Sequence, residues 1–597
     1  MNFLPITSDE TNGKTPDFVL VTGDAYVDHP SFGASIIARL LEAHGFLVGI
    51  IAQPNYKMAS EFTRLGKPRL GFLVTGGNID SMVANYYVSG AKRKSCAYSP
   101  GGTYGLRPNR AAIVYSNKIR EVYKDTAIIL GGLEVSLRRL AHYDYFDNSV
   151  RRSILLDANA DILVYGMGEL AIIEIAEALD SGLHINELTF IDGTVYKAKD
   201  ITFIDNPSFL PKFAEIKEPT AKGKANFAKS FMLQFNNTCH RNASVLVEEY
   251  SGHYVVQNKP KRPLTTSELD RVYSLPYKRA PHPVYDCCGG VPAILEVKFS
   301  ITAMRGCLGG CHFCSLSFHQ GREISTRSQM SILQEARNFL HDADFKGYIH
   351  DVGGPTANFY GASCKNPEKP CKRKCLTPRL CKNLNVSHAK YLKLLRELRD
   401  LPGIKKVYVR SGVRYDYVLV DPKGDDFLKE FCEYHVSGRL KIAPEHVSDK
   451  VLELMGKPSI AAYEEFSEKF YTICKSLGKE LYIVPYLMSS HPGSSLDDAI
   501  ALAEYLQKSD IRPEQVQDFY PTPGTLSTCM YYTGINPITM KRVNVPKSKS
   551  EKTAQRALMQ YRLPANYDIV RAALIRAGRK DLIGHDPKAL IRPSVRN

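Results

Sequence analysis

Short, continuously apolar runs recur along the first third of the chain. Phe18-Val-Leu-Val-Thr22, Leu47-Val-Gly-Ile-Ile51, Leu70-Gly-Phe-Leu-Val74, Ala127-Ile-Ile-Leu130 and Ile162-Leu-Val-Tyr165 are mostly bounded by glycine. Runs of this kind read as strands buried on both faces. Between the first two, residues 34–45 carry apolar side chains at helical spacing and end on Gly45, a common helix stop. The repeated strand–helix–strand unit predicts an α/β fold, a doubly wound parallel sheet over residues 1–200. Ligands on such sheets bind at the carboxyl ends of strands, which puts Gly23-Asp24, Gly76-Gly77, Gly131-Gly132 and Gly166-Met-Gly-Glu169 on one rim. Residues 201–292 are more polar and proline-rich and read as a connector with a few strands. From 293 to 545 the alternation returns. Six strands are expected near 297–302, 347–351, 406–411, 439–443, 481–488 and 515–520. Helices are expected near 329–341, 391–400, 428–434, 461–478 and 496–507. Residues 546–597 read as a basic tail, with an amphipathic helix over 569–580.

Length and composition narrow the class. A chain of 597 residues is expected to hold two to four domains. Hydrophobic content of 44% and charged content of 23% are those of an ordinary soluble globular protein. The first ten residues lack the basic and apolar regions of a signal peptide, and no apolar run reaches the length of a membrane span. Fourteen cysteines without an export signal point to metal binding in a reducing cytoplasm. The net charge of +16 is regional. Residues 364–382 carry seven Lys/Arg and one acidic residue, and residues 541–597 carry fourteen against four, so the remainder is neutral. Regional charge predicts docking sites for anionic partners more than a general affinity for nucleic acid.

The chemistry concentrates after the first strand of the second half, in Cys307-Leu-Gly-Gly-Cys311-His-Phe-Cys314. Three thiolates on one tight loop leave one iron of a 4Fe–4S cube without a protein ligand, as a catalytic metal keeps a position open for its substrate. Gly306, Gly309 and Gly310 let the loop curl around a bulky cluster. This pattern is the hallmark of radical S-adenosylmethionine (SAM) enzymes. A structural zinc knuckle is the alternative, and it lacks a fourth ligand here. The six strand–helix units fit the partial (β/α)6 barrel of those enzymes, whose active residues lie at strand ends. Strand two ends in Asp351-Val-Gly-Gly-Pro-Thr356, strand three in Arg410-Ser-Gly-Val-Arg-Tyr-Asp416, and strand four in Ala443-Pro-Glu-His446. The resemblance implies that Gly353, Gly354 and Pro355 approach the methionine part of SAM, and that Arg410 and Glu445 belong to its site. Glu445 is similar to the glutamate that accepts hydrogen bonds from ribose hydroxyls.

Taken together, Gly23-Asp-Ala-Tyr-Val-Asp-His-Pro-Ser-Phe-Gly33, Thr265-Thr266, Arg305-Gly-Cys307, His319-Gln-Gly-Arg322, Asp351-Val-Gly-Gly-Pro-Thr-Ala-Asn358 and Ala443-Pro-Glu-His446 resemble the YgiQ family of radical SAM proteins. The resemblance covers nearly the whole chain. It implies a 4Fe–4S cluster at Cys307, Cys311 and Cys314, SAM as its partner, and hydrogen abstraction from a substrate it does not name. The N-terminal sheet also resembles the cobalamin-binding domain of one class of radical SAM enzymes, so cobalamin is a further candidate cofactor. The Asp-x-His-x-x-Gly signature is absent, with Asp28-His-Pro-Ser-Phe-Gly33 a loose echo.

A second cysteine set follows strand two. Cys364, Cys371, Cys375 and Cys381 lie in a basic insert, 360–385, with too little apolar content to form its own core. Four thiolates complete either a zinc site or an ordinary iron–sulfur cluster. The expected electron donor is an acidic carrier such as flavodoxin or ferredoxin, met by the basic tail. The alternative reading is an RNA-associated metalloprotein that docks nucleic acid through insert and tail.

Overall fold

The computed structural model describes all residues except 1, 368–370, 372–373, 378, 514–515 and 594–597. It divides into two compact units. One comprises residues 1–306 and 315–350, the other residues 307–314 and 351–597.

The first unit is built on a nine-stranded sheet. Its strands are β1 (Phe18–Thr22), β2 (Val48–Ala52), β3 (Gly71–Thr75), β4 (Ile128–Gly131), β5 (Ile162–Val164), β6 (Thr194–Ala198), β7 (Ser208–Phe209), β8 (Leu246–Tyr250) and β9 (His253–Gln257). The spatial order is β7-β8-β9-β6-β5-β4-β3-β1-β2. β2, β1, β3, β4 and β5 run parallel, in the 2-1-3-4-5 order of doubly wound sheets. The apolar runs are continuous because alternate side chains serve two cores. Val19, Val21, Phe72, Val74, Ile128 and Leu130 pack on one face, and Phe18, Leu20, Leu73, Ile129, Ile162 and Val164 on the other. Each such side chain stabilises the fold by about 1.5–3 kcal/mol.

The sheet does not stop where the parallel pattern ends. β6 joins β5 antiparallel, β9 joins β6 antiparallel, and β8 joins β9 antiparallel. The stretch read as a connector therefore supplies three sheet strands, β7, β8 and β9. β7 is the edge strand and joins β8 parallel, while β8 and β9 lie inside the sheet and bury polar side chains, Glu248 and Gln257, so neither reads as a continuous apolar run.

In the second unit β10 (Arg439–Glu445), β11 (Tyr482–Ser489) and β12 (Val516–Asp518) form a parallel sheet with Arg439 opposite Tyr482 and Leu487 opposite Val516. Helices α1 (Ala389–Arg399), α2 (Gly424–Tyr434), α3 (Ile460–Ser476) and α4 (Leu496–Lys508) match the expected helices within a few residues. The earlier barrel strands are shorter than expected, for local reasons. Ahead of Ser300–Thr302, residues Ile294–Val297 are helical, and Ser300 Oγ donates to the Glu296 carbonyl at 3.0 Å. Strand two is divided into Tyr348–Ile349 and Asp351–Gly353. Strand three is only Lys406–Val407, because the N–H groups of Arg410 and Ser411 go to the Asp351 carboxylate, at 2.7 and 3.0 Å, rather than to a neighbouring strand.

The C-terminal residues are not a solvated tail. Helix α5 (Lys549–Met559) is opened by a capping box, in which Ser548 and Glu551 satisfy each other's N–H groups, and α6 (Tyr567–Arg576) follows it. Leu558, Val570 and Leu574 of these helices are fully buried in one cluster with Ile500, Leu502 and Leu506 of α4. Part of the basic face is paired: Arg571 with Asp568 at 2.8 Å, Arg579 with Glu504 at 2.7 Å and Arg556 with Asp518 at 2.7 Å.

Two predictions follow from this packing. Leu574→Ala should lower the unfolding free energy by about 2–5 kcal/mol, the cost of a cavity in a closed core, as read by denaturant titration. A shift below 0.5 kcal/mol would show the C-terminal helices to be dispensable. The second concerns Glu248 on β8, which is fully buried and accepts from Tyr250 Oη at 2.6 Å and Ala141 N at 2.9 Å. Burial raises its pKa to about 7. The folded value lies above the unfolded one, so the stabilisation is complete below about pH 4.5 and declines as pH rises towards 7. Wild-type stability should fall across that window by on the order of 3 kcal/mol, and Glu248→Gln should remove most of the slope.

Candidate active site

The cysteine loop lies in the second unit and is fastened along its length. His312 N donates to the Met455 carbonyl at 2.8 Å, and Ser527 N donates to the His312 carbonyl at 3.0 Å. His312 Nδ1 lies 2.8 Å from the Leu454 carbonyl. A carbonyl only accepts, so Nδ1 carries the proton and Nε2 is left to accept from the Lys374 ammonium that contacts it. Burial, with Lys374 beside it, pushes the imidazole pKa down to about 3, so the ring is neutral. Gly456 packs so closely below that a Cβ there would lie 2.7 Å from His312 Cδ2. With φ at +67° as well, the Met-Gly-Lys-Pro turn demands glycine.

Around the sulfurs the chain supplies donors. Gly309 N points at Cys307 Sγ, 3.4 Å away, and Thr356 Oγ1 lies 3.5 Å from the same sulfur. Arg414 Nη1 points at Cys311 Sγ from 3.5 Å. Asp416 takes the other edge of that guanidinium, with Nε–Oδ1 at 2.7 Å and Nη2–Oδ2 at 2.6 Å. The bidentate pair fixes the plane of the fork and leaves Nη1 for the sulfur. Burial would raise the Asp416 carboxyl, but Arg414 more than reverses it, so the pKa is lowered. A cation and directed donors beside thiols favour the thiolate form that iron requires.

Arg414 is itself held from behind. Its N–H donates to Asn358 Oδ1 at 2.9 Å, and Asn358 Nδ2 donates to its carbonyl at 3.1 Å. Asn358 Nδ2 also lies 3.1 Å from His388 Nε2, and His388 Nδ1 lies 2.5 Å from Asp421 Oδ2. Asp421 accepts, so Nδ1 holds the proton and Nε2 accepts from the amide. Burial lowers the His388 pKa against the pull of Asp421, which keeps the ring neutral. Asn358 and His388 are buried, so this chain of contacts is a rigid backing for Arg414.

The strand ends meet the same region. Asp351 holds Arg410 N and Ser411 N and contacts the Ser411 hydroxyl. A Cβ on Gly353 would lie 2.5 Å from Ser411 Oγ, so only glycine fits. Gly354 and Pro355 are half-buried beside Thr356, whose hydroxyl reaches Cys307. Glu445 ends β10 with φ at +71°, after a register shift against β11. Its carboxylate is buried 3.8 Å from Lys457 Nζ. Burial raises its pKa, while Lys457 and Arg414 pull it down.

Of the residues singled out from sequence, Cys307, Cys311, Cys314, Gly353, Gly354, Pro355 and Glu445 are in the second unit with the loop or at strand ends. Arg410 differs: its backbone N–H is used, but the residue is exposed. Arg414, four residues on, is the arginine at the sulfurs. Thr356, Asn358, Asp416 and Lys457 were not identified as site residues, although the first three lie within the motifs at the ends of strands two and three. Among the described residues no three His, Cys, Asp or Glu side chains already stand in metal-binding geometry, the loop cysteines included. The donor set nevertheless fits a cluster with one open iron: three thiols, a glycine, Gly309, where a Cβ would crowd the Cys307 sulfur, and polar hydrogens on two of the three thiols.

Sequence comparison assigns the chain. A Radical SAM N-terminal family model matches residues 3–300, a Radical SAM superfamily model matches residues 301–506, and a domain of unknown function (DUF3362) matches residues 514–597. A UPF0313 protein of Clostridium botulinum (strain Kyoto / Type A2) is 55% identical, across 99% of this chain and 92% of its own length. One from Clostridium perfringens (strain ATCC 13124) is also 55% identical, across 99% and 89%. The chain belongs to the UPF0313 family. These are the YgiQ-type radical SAM proteins, and the chain is accordingly a radical SAM enzyme. Among solved structures, TsrM, a radical SAM methyltransferase from Kitasatospora setae with tryptophan and aza-SAM bound, aligns with TM-score 0.47, 15% identity, and coverage of 86% and 76%. The cobalamin-dependent radical SAM enzyme OxsB with aqua-cobalamin bound gives 0.48, 10%, and coverage of 96% and 72%. The family assignment rests on the sequence relatives.

The rim of the first unit bears on cobalamin. At the ends of β1 and β3, Arg107 donates to the Gly23 carbonyl at 2.8 Å and contacts the Asp24 carboxylate, while Gln53 Nε2 bridges the Gly23 carbonyl and Ser99 Oγ at 2.9 and 2.8 Å. A Cβ on Gly23 would lie 2.2 Å from the Gly76 carbonyl oxygen. At the ends of β1 and β3 the rim is occupied by the chain's own side chains.

Asn358→Ala should leave the Arg414 N–H and carbonyl and His388 Nε2 unpaired, at about 1–3 kcal/mol for each buried group. The expected result is a lower unfolding midpoint together with fewer irons retained per chain after reconstitution. Unchanged iron retention would remove Asn358 from the support of the loop.

Proposed function

We propose that Cys307, Cys311 and Cys314 hold a 4Fe–4S cluster whose open iron takes SAM, and that this enzyme abstracts a hydrogen atom from an unreactive C–H position of an organic substrate. With cluster and SAM bound, the pair supplies a 5′-deoxyadenosyl radical after one-electron reduction. The observation that carries the proposal is the convergence of Gly309 N, Thr356 Oγ1 and Arg414 Nη1 on two of the three thiols.

The chain's own residues then have distinct tasks. Arg414 offsets the negative charge that three thiolates bring to the loop, and Asp416 keeps its fork aimed. Glu445 offers carboxylate oxygens to ribose hydroxyls, with Lys457 beside it to keep the carboxylate ionised. Gly353, Gly354 and Pro355 leave main chain open to the methionine part of SAM. Arg410, exposed three residues after strand three, is free of the sulfurs and is left to meet a substrate. Cobalamin is a further candidate cofactor for the first unit, and hydrogen abstraction is derived without it.

The reductant in this reading is an acidic one-electron carrier of the flavodoxin or ferredoxin type, and the working compartment is the reducing cytoplasm. No helix among the described residues is long and apolar enough to cross a membrane. The RNA-docking alternative has less to stand on, because Arg556, Arg571 and Arg579 of the C-terminal helices are engaged in ion pairs.

Anaerobic incubation with SAM and dithionite should yield 5′-deoxyadenosine, read by mass spectrometry. The Cys307/Cys311/Cys314→Ala variant should yield none, and turnover by that variant would overturn the proposal. Glu445→Gln should weaken SAM binding by roughly tenfold, the equivalent of about 1.4 kcal/mol for one lost charge-assisted hydrogen bond.

A further inference from the structure

The insert after strand two is attached to the cluster loop. Lys374, between Cys371 and Cys375, contacts His312 Nε2 in the middle of the Cys-x-x-x-Cys-x-x-Cys loop. A Cβ on Gly310 of the same loop would come 3.3 Å from Lys374 Cδ. Two residues after Cys375, the buried Thr377 donates its hydroxyl to the Gly456 carbonyl at 3.0 Å, and Leu376 between them is buried. The insert is therefore seated on the turn that fastens His312.

Within the insert, main-chain hydrogen bonds bring three of its four cysteines into one neighbourhood. Ser363–Cys364 pairs antiparallel with Leu384–Asn385, which sets Cys364 opposite Leu384. Leu384 N donates to the Cys381 carbonyl at 3.0 Å, and Cys381 N donates to the Cys375 carbonyl at 2.9 Å. Cys371 lies four residues before Cys375. Among the described residues no cysteine is in a disulfide. Beyond Tyr360 and Ala362 at its start, only Leu376 and Leu384 of the described part of the insert are buried apolar side chains, so packing alone does not account for its order.

From these placements we infer that Cys364, Cys371, Cys375 and Cys381 are the four thiolate ligands of a second metal centre, separate from the SAM cluster. Four thiolates around one Zn²⁺, or around a 4Fe–4S²⁺ core, leave a net charge of about −2. Residues 364–382 carry a net +6, which offsets that charge and favours deprotonated thiols. The metal draws the sulfurs together as it binds and orders the insert, since ligand assembly and folding are one event at such sites. An ordered insert in turn holds Lys374 against His312 and so braces the loop that carries the first three cysteines. The site needs no exchangeable position, so its role is to order and brace.

Metal and acid-labile sulfide analysis of anaerobically purified full-length protein tests this. The Cys307/Cys311/Cys314→Ala variant should retain about one zinc, or about four irons with as many sulfides, per chain. That metal should disappear when Cys371→Ser and Cys375→Ser are added. Zinc identifies one form of the centre, and iron with sulfide the other. A triple variant with native circular dichroism but neither metal would overturn the inference. If the triple variant fails to fold, the Cys371→Ser/Cys375→Ser variant of the otherwise intact chain decides. A loss of about one zinc or about four irons relative to wild type supports the inference, and identical metal content overturns it. The latter variant keeps Cys307, Cys311 and Cys314, so retained SAM cleavage in it separates failure of this inference from failure of the radical reading.

Discussion

Three thiols within eight residues create the problem that the second unit is folded to solve. As thiolates they place three negative charges on one short loop, and a half-buried loop cannot rely on water to screen them. The chain answers with a single buried guanidinium. Arg414 could be neutralised entirely by Asp416, yet the bidentate geometry uses only one edge of the fork and leaves the opposite nitrogen for Cys311. A lysine would bring the same charge as a point and could not be shared between carboxylate and sulfur in a fixed plane. The positions of Asn358, His388 and Asp421 follow from the same requirement, because a cation aimed with that accuracy needs its backbone immobilised.

Steric demands run in parallel with the electrostatic ones. Gly309 is pressed between the Arg414 guanidinium and the Cys307 sulfur, Gly456 against His312, and Gly353 against Ser411. At each position a methyl group would stand under 3 Å from a neighbouring atom, so these glycines are required by contact rather than by flexibility alone. The loop is consequently a pre-shaped cradle, fastened from Met455, Leu454 and Ser527, and does not depend on a regular secondary structure of its own.

How much of this was legible in the sequence depends on the range of the interaction concerned. The parallel half of the first sheet was readable because strands buried on both faces have an unmistakable composition, and the cysteine loop because its ligands are local. Strands β7, β8 and β9 were not placed in that sheet, since their half-polar pattern carries no mark of the partner they pair with. The C-terminal helices looked like a basic tail because charge dominates their composition, although the apolar stripe of Leu558, Val570 and Leu574 decides where they go. The choice between Arg410 and Arg414 was the finest distinction. Both follow the same strand, and only the tether of Arg414 to Asn358, fifty-six residues earlier, turns it towards the sulfurs.

Glu445 carries the last step. A non-glycine residue at φ +71° ordinarily costs about 1–3 kcal/mol, a strain that glycine would not carry. The fold instead keeps a carboxylate there and buries it at 3.8 Å from an ammonium, at a point where β10 has already broken register with β11. Two of those features oppose stability when taken alone: the backbone is strained and the carboxylate is desolvated. They become consistent once the side chain is required to project from the strand end towards a ligand with hydroxyl groups. The strain therefore marks Glu445 in a way that the Ala-Pro-Glu-His string alone does not. It identifies the residue whose orientation, rather than its mere presence, the fold maintains.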